Sequence, residues 1–220
     1  MFDRVAARYD LLNAVNSLGN DRGWRRAAAR AANPAEKHVL DLATGTGDLA
    51  IALLSAGAAH VVAVDFSSEM LTAAQTKLSP RFDQRISLVQ GDALALPFED
   101  GTFDRLTSGF LLRNLADLRQ GLSEMLRVLK PGGRMVALDI TRPGGGMGGL
   151  VAGAYFQRVV PWIGGLISGQ SAAYAYLAKS VLPFPTADRL RDLMMEVGFS
   201  TVEYRRMGLG LIALHTASAA

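Results

Sequence analysis

From residue 38 to residue 140, short apolar runs alternate with stretches in which apolar residues recur every three or four positions. The apolar runs predict strands near 38–43, 61–65, 86–90, 103–109 and 134–140, and the periodic stretches predict helices near 47–56, 68–78 and 117–129. Strands and helices that alternate in this way favour a parallel sheet with right-handed crossovers and helices on both faces. Ligands of such sheets bind beyond the carboxyl ends of the strands, close to the point where the strand order reverses.

Additional elements flank this alternating region. An arm of one or two short amphipathic helices is predicted before the first strand, and inserted helices that cap the core and line an apolar pocket are predicted over 144–182. A helix from Thr186 to about residue 197 and strands near 200–205 and 209–216 are expected to complete the chain. We expect a single domain over 1–220, divided into an arm (1–33), a cofactor-binding core (34–142), a substrate cap (143–185) and a C-terminal part (186–220).

The stretch from Val39 to Ala50, VLDLATGTGDLA, predicts a buried strand, a tight glycine turn and the start of a helix. Glycine suits such a turn because it adopts backbone angles that other residues resist, and because its missing side chain lets a ligand approach. Asp65 follows at the end of the second apolar run, where its carboxylate would suit two ribose hydroxyls. Together these features predict an adenosine-bearing cofactor on the first two strands.

Composition excludes several other classes of function. The net charge is only +3 and the basic residues are dispersed, which does not resemble a nucleic-acid-binding surface. The absence of cysteine rules out disulfides, thiol nucleophiles and thiolate metal sites, and it fits a reducing cytoplasm. The three histidines are dispersed without ligand spacing, so we assign no metal. The first ten residues lack a signal-peptide core, and no run of 18 apolar residues predicts a spanning helix.

Two cofactor classes fit the glycine turn. Gly45-x-Gly47-x-x-Ala50, with Asp65 twenty residues further on, also satisfies the dinucleotide fingerprint. S-adenosylmethionine is favoured by Asp41, whose carboxylate can order the glycine turn and the amino-acid end of the cofactor. It is also favoured by Asp92 after the third strand, where a carboxylate could accept from the adenine amino group, and by the segment Arg127 to Gly133, a turn that recurs before the fifth strand of class I methyltransferases.

At this point the whole chain resembles the C-methyltransferases of quinone biosynthesis, which methylate demethylmenaquinone or the ubiquinone precursor. The resemblance is carried by Phe2-Asp3-x-x-Ala6-x-x-Tyr9-Asp10-x-x-Asn13, Trp24-Arg25, Asp41-Leu42-Ala43-Thr44-Gly45-Thr46-Gly47-Asp48, Asp65-Phe66-Ser67-x-x-Met70-Leu71, Leu96-Pro97-Phe98, Phe103-Asp104, Leu112-Arg113-Asn114, Tyr155-Phe156, Pro161, Gly164, Tyr174-x-Tyr176-Leu177 and Gly210-Leu211-Ile212-Ala213-Leu214-His215. It implies a class I, Rossmann-like α/β methyltransferase with a mostly parallel seven-stranded sheet. Three positions depart from the pattern: Leu111 where the family usually has glycine, Asp139 where it usually has glutamate, and Gly109 where some members have serine.

The residues and the resemblance together imply a set of site residues. For the cofactor they are Asp41, Thr44, Gly45, Thr46, Gly47, Asp65, Phe66, Asp92, Ala93, Gly109 and Tyr9. For the acceptor pocket they are Tyr155, Phe156, Trp162, Tyr174 and Tyr176. Arg113 is expected to stabilise the phenolate of a quinol or to polarise a water, since its guanidinium stays charged near neutral pH, and Asn114 is expected to orient the ring oxygen. From position alone, a structural salt bridge explains Arg113 equally well.

The leading hypothesis is therefore an enzyme that uses S-adenosylmethionine to methylate the ring of a prenylated quinol, with demethylmenaquinol to menaquinol as the expected reaction. A benzoquinol precursor of ubiquinone or another small aromatic or lipid acceptor remains open, as do a dinucleotide-dependent oxidoreductase and a non-catalytic scaffold. We expect a cytoplasmic protein with peripheral membrane contact, no nucleic-acid partner, and a homodimer as one option for its oligomeric state.

Overall fold

The computed structural model describes residues 20–141 and 184–220, and seven strands within these ranges form one sheet. In chain order the strands are β1 (His38–Leu42), β2 (His60–Asp65), β3 (Ile86–Gln90), β4 (Phe103–Gly109), β5 (Leu129–Ile140), β6 (Thr201–Met207) and β7 (Ile212–Ser218). Their order across the sheet is β3-β2-β1-β4-β5-β7-β6, and β7 runs in the opposite direction to the other six. The predicted α/β class with a mostly parallel seven-stranded sheet is confirmed.

The position of the site follows from this order. The chain moves outward from β1 through β2 to β3 and then returns to place β4 on the other side of β1. Because the order reverses between β1 and β4, the loops that follow these strands diverge and leave a crevice at their carboxyl ends. The glycine turn after β1 and residues 109–116 after β4 border that crevice.

Within the described ranges, five α-helices cover the two faces of the sheet: α1 (Asp21–Ala32), α2 (Asp48–Ser55), α3 (Ser68–Phe82), α4 (Leu118–Arg127) and α5 (Ala187–Val197). Side chains of α1, α2 and α3, such as Ala28, Leu53 and Leu78, form a core cluster with one face. Side chains of α4 and α5, such as Met125 and Met194, form a second cluster with the other face. Burial on both faces explains why the parallel strands are nearly continuous apolar runs in the sequence.

Several boundaries differ from the sequence prediction. The helix expected over 117–129 ends at Arg127, because Leu129 already pairs with Phe103 in the sheet; the predicted last two helical residues were wrong. Strand β5 then begins at Leu129 rather than at residue 134, with a register shift where Pro131 to Gly133 interrupt the pairing. Helix α3 continues beyond the end expected at residue 78 and ends at Phe82.

The strand expected from residue 209 begins only at Ile212. Gly208 to Gly210 form a tight 3-10 turn in which all three residues have positive φ angles. Such a turn cannot extend a strand, so the pairing of β7 with β6 starts after it. In this turn Leu209 has 90% of its surface exposed.

Part of the predicted arm is present as α1, and the remainder of that prediction lies outside the described residues. The same holds for the inserted helices expected over 144–182. Within residues 20–141 and 184–220, no helix combines the length and the apolar character that crossing a bilayer would require.

Candidate functional site

A cavity of about 520 Å³ lies at the carboxyl edge of the sheet, beside the crevice between β1 and β4. Its walls come from the segments that follow β1, β2, β3 and β4. Seven residues predicted for the site line it: Gly45, Asp65, Phe66, Asp92, Ala93, Gly109 and Asn114. The tertiary structure thus brings together residues from four separate segments of the sequence.

Asp65 connects the glycine turn to the end of β2. One carboxylate oxygen accepts a hydrogen bond from the backbone N–H of Gly45 at 2.8 Å, and the other accepts from the N–H of Ser67 at 3.0 Å. These bonds hold the glycine turn against the second strand end. Asp65 is half-buried and still lines the cavity, so its carboxylate can also accept from a ligand hydroxyl.

The second glycine of the turn faces the protein rather than the cavity. Gly47 has a φ of +87°, and a Cβ added there would lie 2.7 Å from Cδ1 of Leu78 in α3. The neighbouring Thr46 accepts a hydrogen bond from Nζ of Lys77, which also pairs with Asp48 at 2.7 Å. Neither Thr46 nor Gly47 is among the residues around the cavity, and both join α2 to α3.

Asp41 is fully buried behind the glycine turn and does not line the cavity. Its two carboxylate oxygens accept hydrogen bonds from the hydroxyls of Thr44 and Thr107, each at 2.7 Å. Burial raises the pKa of Asp41 from 3.8 to about 6, although these two hydroxyls and the charge of Arg25 act in the opposite direction. Asp41 and Thr44 therefore order the turn from within the protein.

Because its pKa is raised in the folded state, Asp41 makes the stability of the fold depend on pH. Between about pH 3.8 and pH 6 the folded protein binds more protons at Asp41 than the unfolded chain does. The contribution of Asp41 to stability is therefore greatest below its ordinary pKa and declines as pH rises through that window.

One side of the cavity is formed by residues at the ends of β2 and β3. Phe66 has 75% of its surface exposed, although most large apolar side chains among the described residues are covered. Asp92 is exposed, and its carboxylate accepts from the N–H of Leu94 in a local turn, while Ala93 is buried. An exposed aromatic ring next to an exposed carboxylate can stack on and hydrogen-bond a purine.

Arg113 and Asp139 form an ion pair at the other side of the cavity. Nη1 of Arg113 lies 2.5 Å from Oδ1 of Asp139, and both side chains are largely buried. The Arg113 guanidinium also lies over the ring of Phe110, 5.4 Å from its centroid, and Phe110 lines the cavity. Asn114 lines the cavity itself and donates to the carbonyl of Phe110 at 3.0 Å.

The structure thus contains the salt bridge that was one interpretation of Arg113. One hydrogen-bond donor of this arginine is still available. Its Nε is buried and has no hydrogen-bond partner within residues 20–141 and 184–220. Arg113 is one aromatic ring away from the cavity rather than in its wall.

Some predicted site residues lie outside the described ranges, and some cavity residues were not predicted from the sequence. Tyr9, Tyr155, Phe156, Trp162, Tyr174 and Tyr176 belong to segments that the structure does not describe, so their roles stay predictions. The cavity also has walls from residues without a predicted role: Leu42, Ala43, Ser67, Met70, Gly91, Leu94, Phe110, Leu111, Leu115 and Ala116. Small and apolar residues of this kind carry no chemical signal in a sequence, and only the fold places them there.

The cavity fits S-adenosylmethionine on chemical grounds. Along the sheet edge the strand ends follow the order β3, β2, β1, β4, which gives the sequence Asp92, Asp65, Gly45, Gly109 across the cavity. An adenine, a ribose and an amino-acid end can be matched in that order by an exposed carboxylate, a second carboxylate and a glycine turn. The two glycines leave room for close approach where a side chain would intrude.

Comparison with known proteins agrees with this arrangement. A sequence model described as the ubiE/COQ5 methyltransferase family matches residues 1–219. The chain is 48% identical over 217 residues to a demethylmenaquinone methyltransferase of Thermus thermophilus, covering 98% of both chains. It is 44% identical over 217 residues to the ubiquinone/menaquinone biosynthesis C-methyltransferase UbiE of Desulfotalea psychrophila, covering 98% of this chain and 87% of that one.

The fold is similar to that of solved methyltransferases. In the complex between the Haloferax volcanii Trm112 methyltransferase activator and a methyltransferase, one chain aligns with a TM-score of 0.72 at 20% identity. The alignment covers 100% of this chain and 97% of that chain. At this identity the likeness concerns the architecture alone.

Proposed function

Because this chain belongs to the ubiE/COQ5 methyltransferase family, we propose that it methylates a ring carbon of a prenylated quinol, converting demethylmenaquinol to menaquinol. Its cofactor is S-adenosylmethionine, as in the methyltransferases that share its fold. The observation that carries the substrate assignment is the near-complete alignment with the demethylmenaquinone methyltransferase of Thermus thermophilus, in which 48% of the residues are identical.

The cofactor is held, in this proposal, by the residues around the cavity. Asp65 accepts from the ribose hydroxyls, Phe66 covers the adenine ring and Asp92 accepts from the adenine amino group, while Gly45 and Gly109 let the amino-acid end approach. Asp41 and Thr44 act indirectly, since they order the glycine turn through hydrogen bonds behind it. When bound, S-adenosylmethionine supplies a methyl group on a positively charged sulfur.

The protein must in turn hold a ring carbon in line with that methyl group and make the carbon nucleophilic. Positioning of two reacting groups in this way can lower a barrier by about 7–11 kcal/mol in favourable model systems. A quinol carbon becomes nucleophilic when the neighbouring hydroxyl is deprotonated, so a group that stabilises the phenolate accelerates the reaction.

Arg113 supplies that stabilisation. Asp139 fixes one end of the guanidinium, and the buried Nε remains as a donor without a partner in the described part of the chain. A guanidinium held at one end in this way cannot rotate freely. Asn114, in the wall of the cavity, orients the ring oxygen.

The alternative acceptor is the benzoquinol precursor of ubiquinone. Its support is the name of the relative from Desulfotalea psychrophila, which covers both ubiquinone and menaquinone biosynthesis. Two of the positions that depart from the family pattern, Gly109 and Leu111, line the cavity, and Asp139 lies directly behind it. These residues therefore bear on ring choice more than on the type of reaction.

Enzyme assays distinguish the two acceptors. Purified protein with methyl-labelled S-adenosylmethionine should label demethylmenaquinol, with slower labelling of the benzoquinol precursor, and mass spectrometry should show demethylmenaquinone accumulating in cells that lack the gene. Faster methylation of the benzoquinol would favour the alternative. Cofactor binding without transfer to either quinol would contradict the proposed function and point to a different acceptor or to a scaffold.

Peripheral contact with the membrane is the second part of the proposal, because the prenyl tail of the quinol resides in the bilayer. Its support among the described residues is Leu209, which is 90% exposed and flanked by Gly208 and Gly210. This turn precedes Ile212, which pairs with Ile140 at the carboxyl end of β5, so Leu209 lies on the same edge as the cavity. A protruding leucine there can enter the apolar interface while the quinol transfers.

Liposome flotation tests this contact. Leu209→Asn should reduce binding to vesicles and slow the methylation of long-tailed acceptors more than of short-tailed ones. Met195→Asn is a matched control, since Met195 is 52% exposed but lies near the end of α5, at the opposite edge of the sheet. Parent protein that does not float with vesicles and that methylates a tailless quinol equally well would contradict membrane contact.

A further inference from the structure

On the buried side of α1, Arg25 lies among alanines and one aspartate, Asp21. Ala28, Ala29 and Ala32 lie three, four and seven residues after Arg25, so the four residues share one helix face. The three alanines are buried against the sheet, and Arg25 is only 7% exposed. A charged group at such a position is costly unless it has partners.

The described partners of Arg25 are weak. Its Nε has no hydrogen-bond partner in the described part of the chain, and it lies 4.0 Å from a carboxylate oxygen of Asp21. Its guanidinium carbon is 5.6 Å from the ring centroid of Phe110. A guanidinium presents five donors in a planar fork, and neither contact uses that fork. The buried charge therefore has unused capacity to bind an anion.

The guanidinium lies directly behind the cavity wall. Nη1 of Arg25 is 3.6 Å from the point where a Cβ of residue 109 would be, and Gly109 lines the cavity. Gly109 ends β4, which is the last of the four strand ends along the cavity after β3, β2 and β1. The cofactor's adenosine is proposed at the β3 and β2 ends, so its amino-acid part extends toward β4 and toward Arg25.

We propose that Arg25 binds the α-carboxylate of the methionine part of S-adenosylmethionine. This inference rests on the proposed function, because it requires that cofactor in the cavity. A carboxylate matches the planar fork of a guanidinium with two parallel hydrogen bonds, and a site with little water strengthens such a charged contact. Because Gly109 has no side chain, no side-chain atom of residue 109 fills the space between Arg25 and the cavity.

A comparison of two ligands separates this role from a structural one. Calorimetry should be performed with S-adenosylmethionine and with decarboxylated S-adenosylmethionine, which keeps the adenosine, the sulfonium and the amine. Arg25→Met should bind S-adenosylmethionine about ten- to a hundredfold more weakly than the parent, as expected for the loss of a charged hydrogen-bonded contact. The affinity for the decarboxylated ligand should change far less, so the parent's preference for the carboxylate is lost.

Two variants accompany the measurement. Arg26→Met is the matched control, because Arg26 is exposed on the same helix, and its affinities should equal those of the parent. Arg25→Lys keeps the charge without the planar fork, so its preference for the carboxylated ligand should be intermediate. It also replaces Arg25→Met in the comparison if that variant does not fold.

The outcomes are distinct. Equal weakening of both ligands, or of neither, would overturn the proposal and make Arg25 structural. A parent protein that does not bind S-adenosylmethionine at all would instead contradict the proposed function on which the inference rests. Loss of the preference for the carboxylated ligand in Arg25→Met, with Arg26→Met unchanged, would establish the carboxylate subsite.

Discussion

The second glycine of the turn after β1 offers a quantitative test of how the site is built. In Gly47→Ala, two costs add. An alanine held at a φ of +87° loses about 1–2 kcal/mol through contact between its Cβ and the backbone. The new Cβ would also lie 2.7 Å from Cδ1 of Leu78, and overpacking of this kind costs about 1–3 kcal/mol. We therefore expect a loss of about 2–5 kcal/mol in the free energy of unfolding.

The chain contains a matched control for the first of these costs. Gly210 has the same φ of +87°, and a Cβ added there would meet no atom within 4 Å. Gly210→Ala should therefore lose only the backbone part, about 1–2 kcal/mol. The difference between the two variants measures the contact with Leu78.

A double-mutant cycle isolates that contact. Leu78 is fully buried, and Leu78→Ala alone should cost about 2–5 kcal/mol through the cavity it leaves. In the Leu78→Ala background, Gly47→Ala no longer meets Cδ1 and should cost about as much as Gly210→Ala. Additive effects of the two substitutions would contradict the overlap.

Urea unfolding followed by circular dichroism provides the free energies, and calorimetry of cofactor binding completes the test. Because Gly47 faces α3 and does not line the cavity, Gly47→Ala should reduce stability more than it reduces cofactor affinity at a temperature where it is folded. An unchanged stability together with a lost affinity would refute this reasoning. In that case Gly47 would serve the close approach of the ligand.

Three further substitutions test other parts of the site. Asp65→Asn presents an amide NH₂ where a backbone N–H of Gly45 or Ser67 needs an acceptor, so cofactor affinity should fall by about 1–3 kcal/mol in calorimetry; unchanged affinity would rule out its role. Arg113→Lys keeps the charge but not the planar fork, so methyl transfer should slow strongly while cofactor affinity is retained, and parent-like turnover would make Arg113 purely structural. Asp41→Asn removes the group whose pKa is raised to about 6, so the stability of the parent relative to the variant should decline by up to about 3 kcal/mol from pH 4 to pH 7 in urea unfolding. Parallel pH curves would show that Asp41 does not titrate in that window.

Much of the core follows from local patterns. The period of apolar residues reflects which faces of a strand or helix are covered, so it predicted the strands of the parallel sheet to within a few residues. Of the boundaries that failed, one did so because of a distant contact and one because of a glycine turn. Leu129 joins the sheet because Phe103 lies beside it, and the turn over 208–210 replaces the start of a strand. The pairing of Leu129 has no signal in the local sequence, whereas Gly208 and Gly210 are a local turn signal that the strand prediction passed over.

Site residues were predictable where a motif has a single geometric meaning. Gly45 and Asp65 are twenty positions apart, and their hydrogen bond results from the pairing of β1 with β2, which the strand–turn–helix pattern already implies. Arg25 was named only as part of the Trp24-Arg25 motif that carries the resemblance. Its significance was not predicted, because the sequence alone does not say that this residue lies behind Gly109.

The sequence by itself determined the fold class, the glycine turn and the carboxylates at the strand ends, because these depend on residue type and on spacing along the chain. Only the tertiary structure decided which of two glycines faces the ligand and which faces α3. It also paired Arg113 with Asp139, 26 residues apart, and buried Asp41 deeply enough to raise its pKa. The physical reason is that burial, charge pairing and close approach depend on what packs against a residue, and that neighbour is usually distant in the sequence.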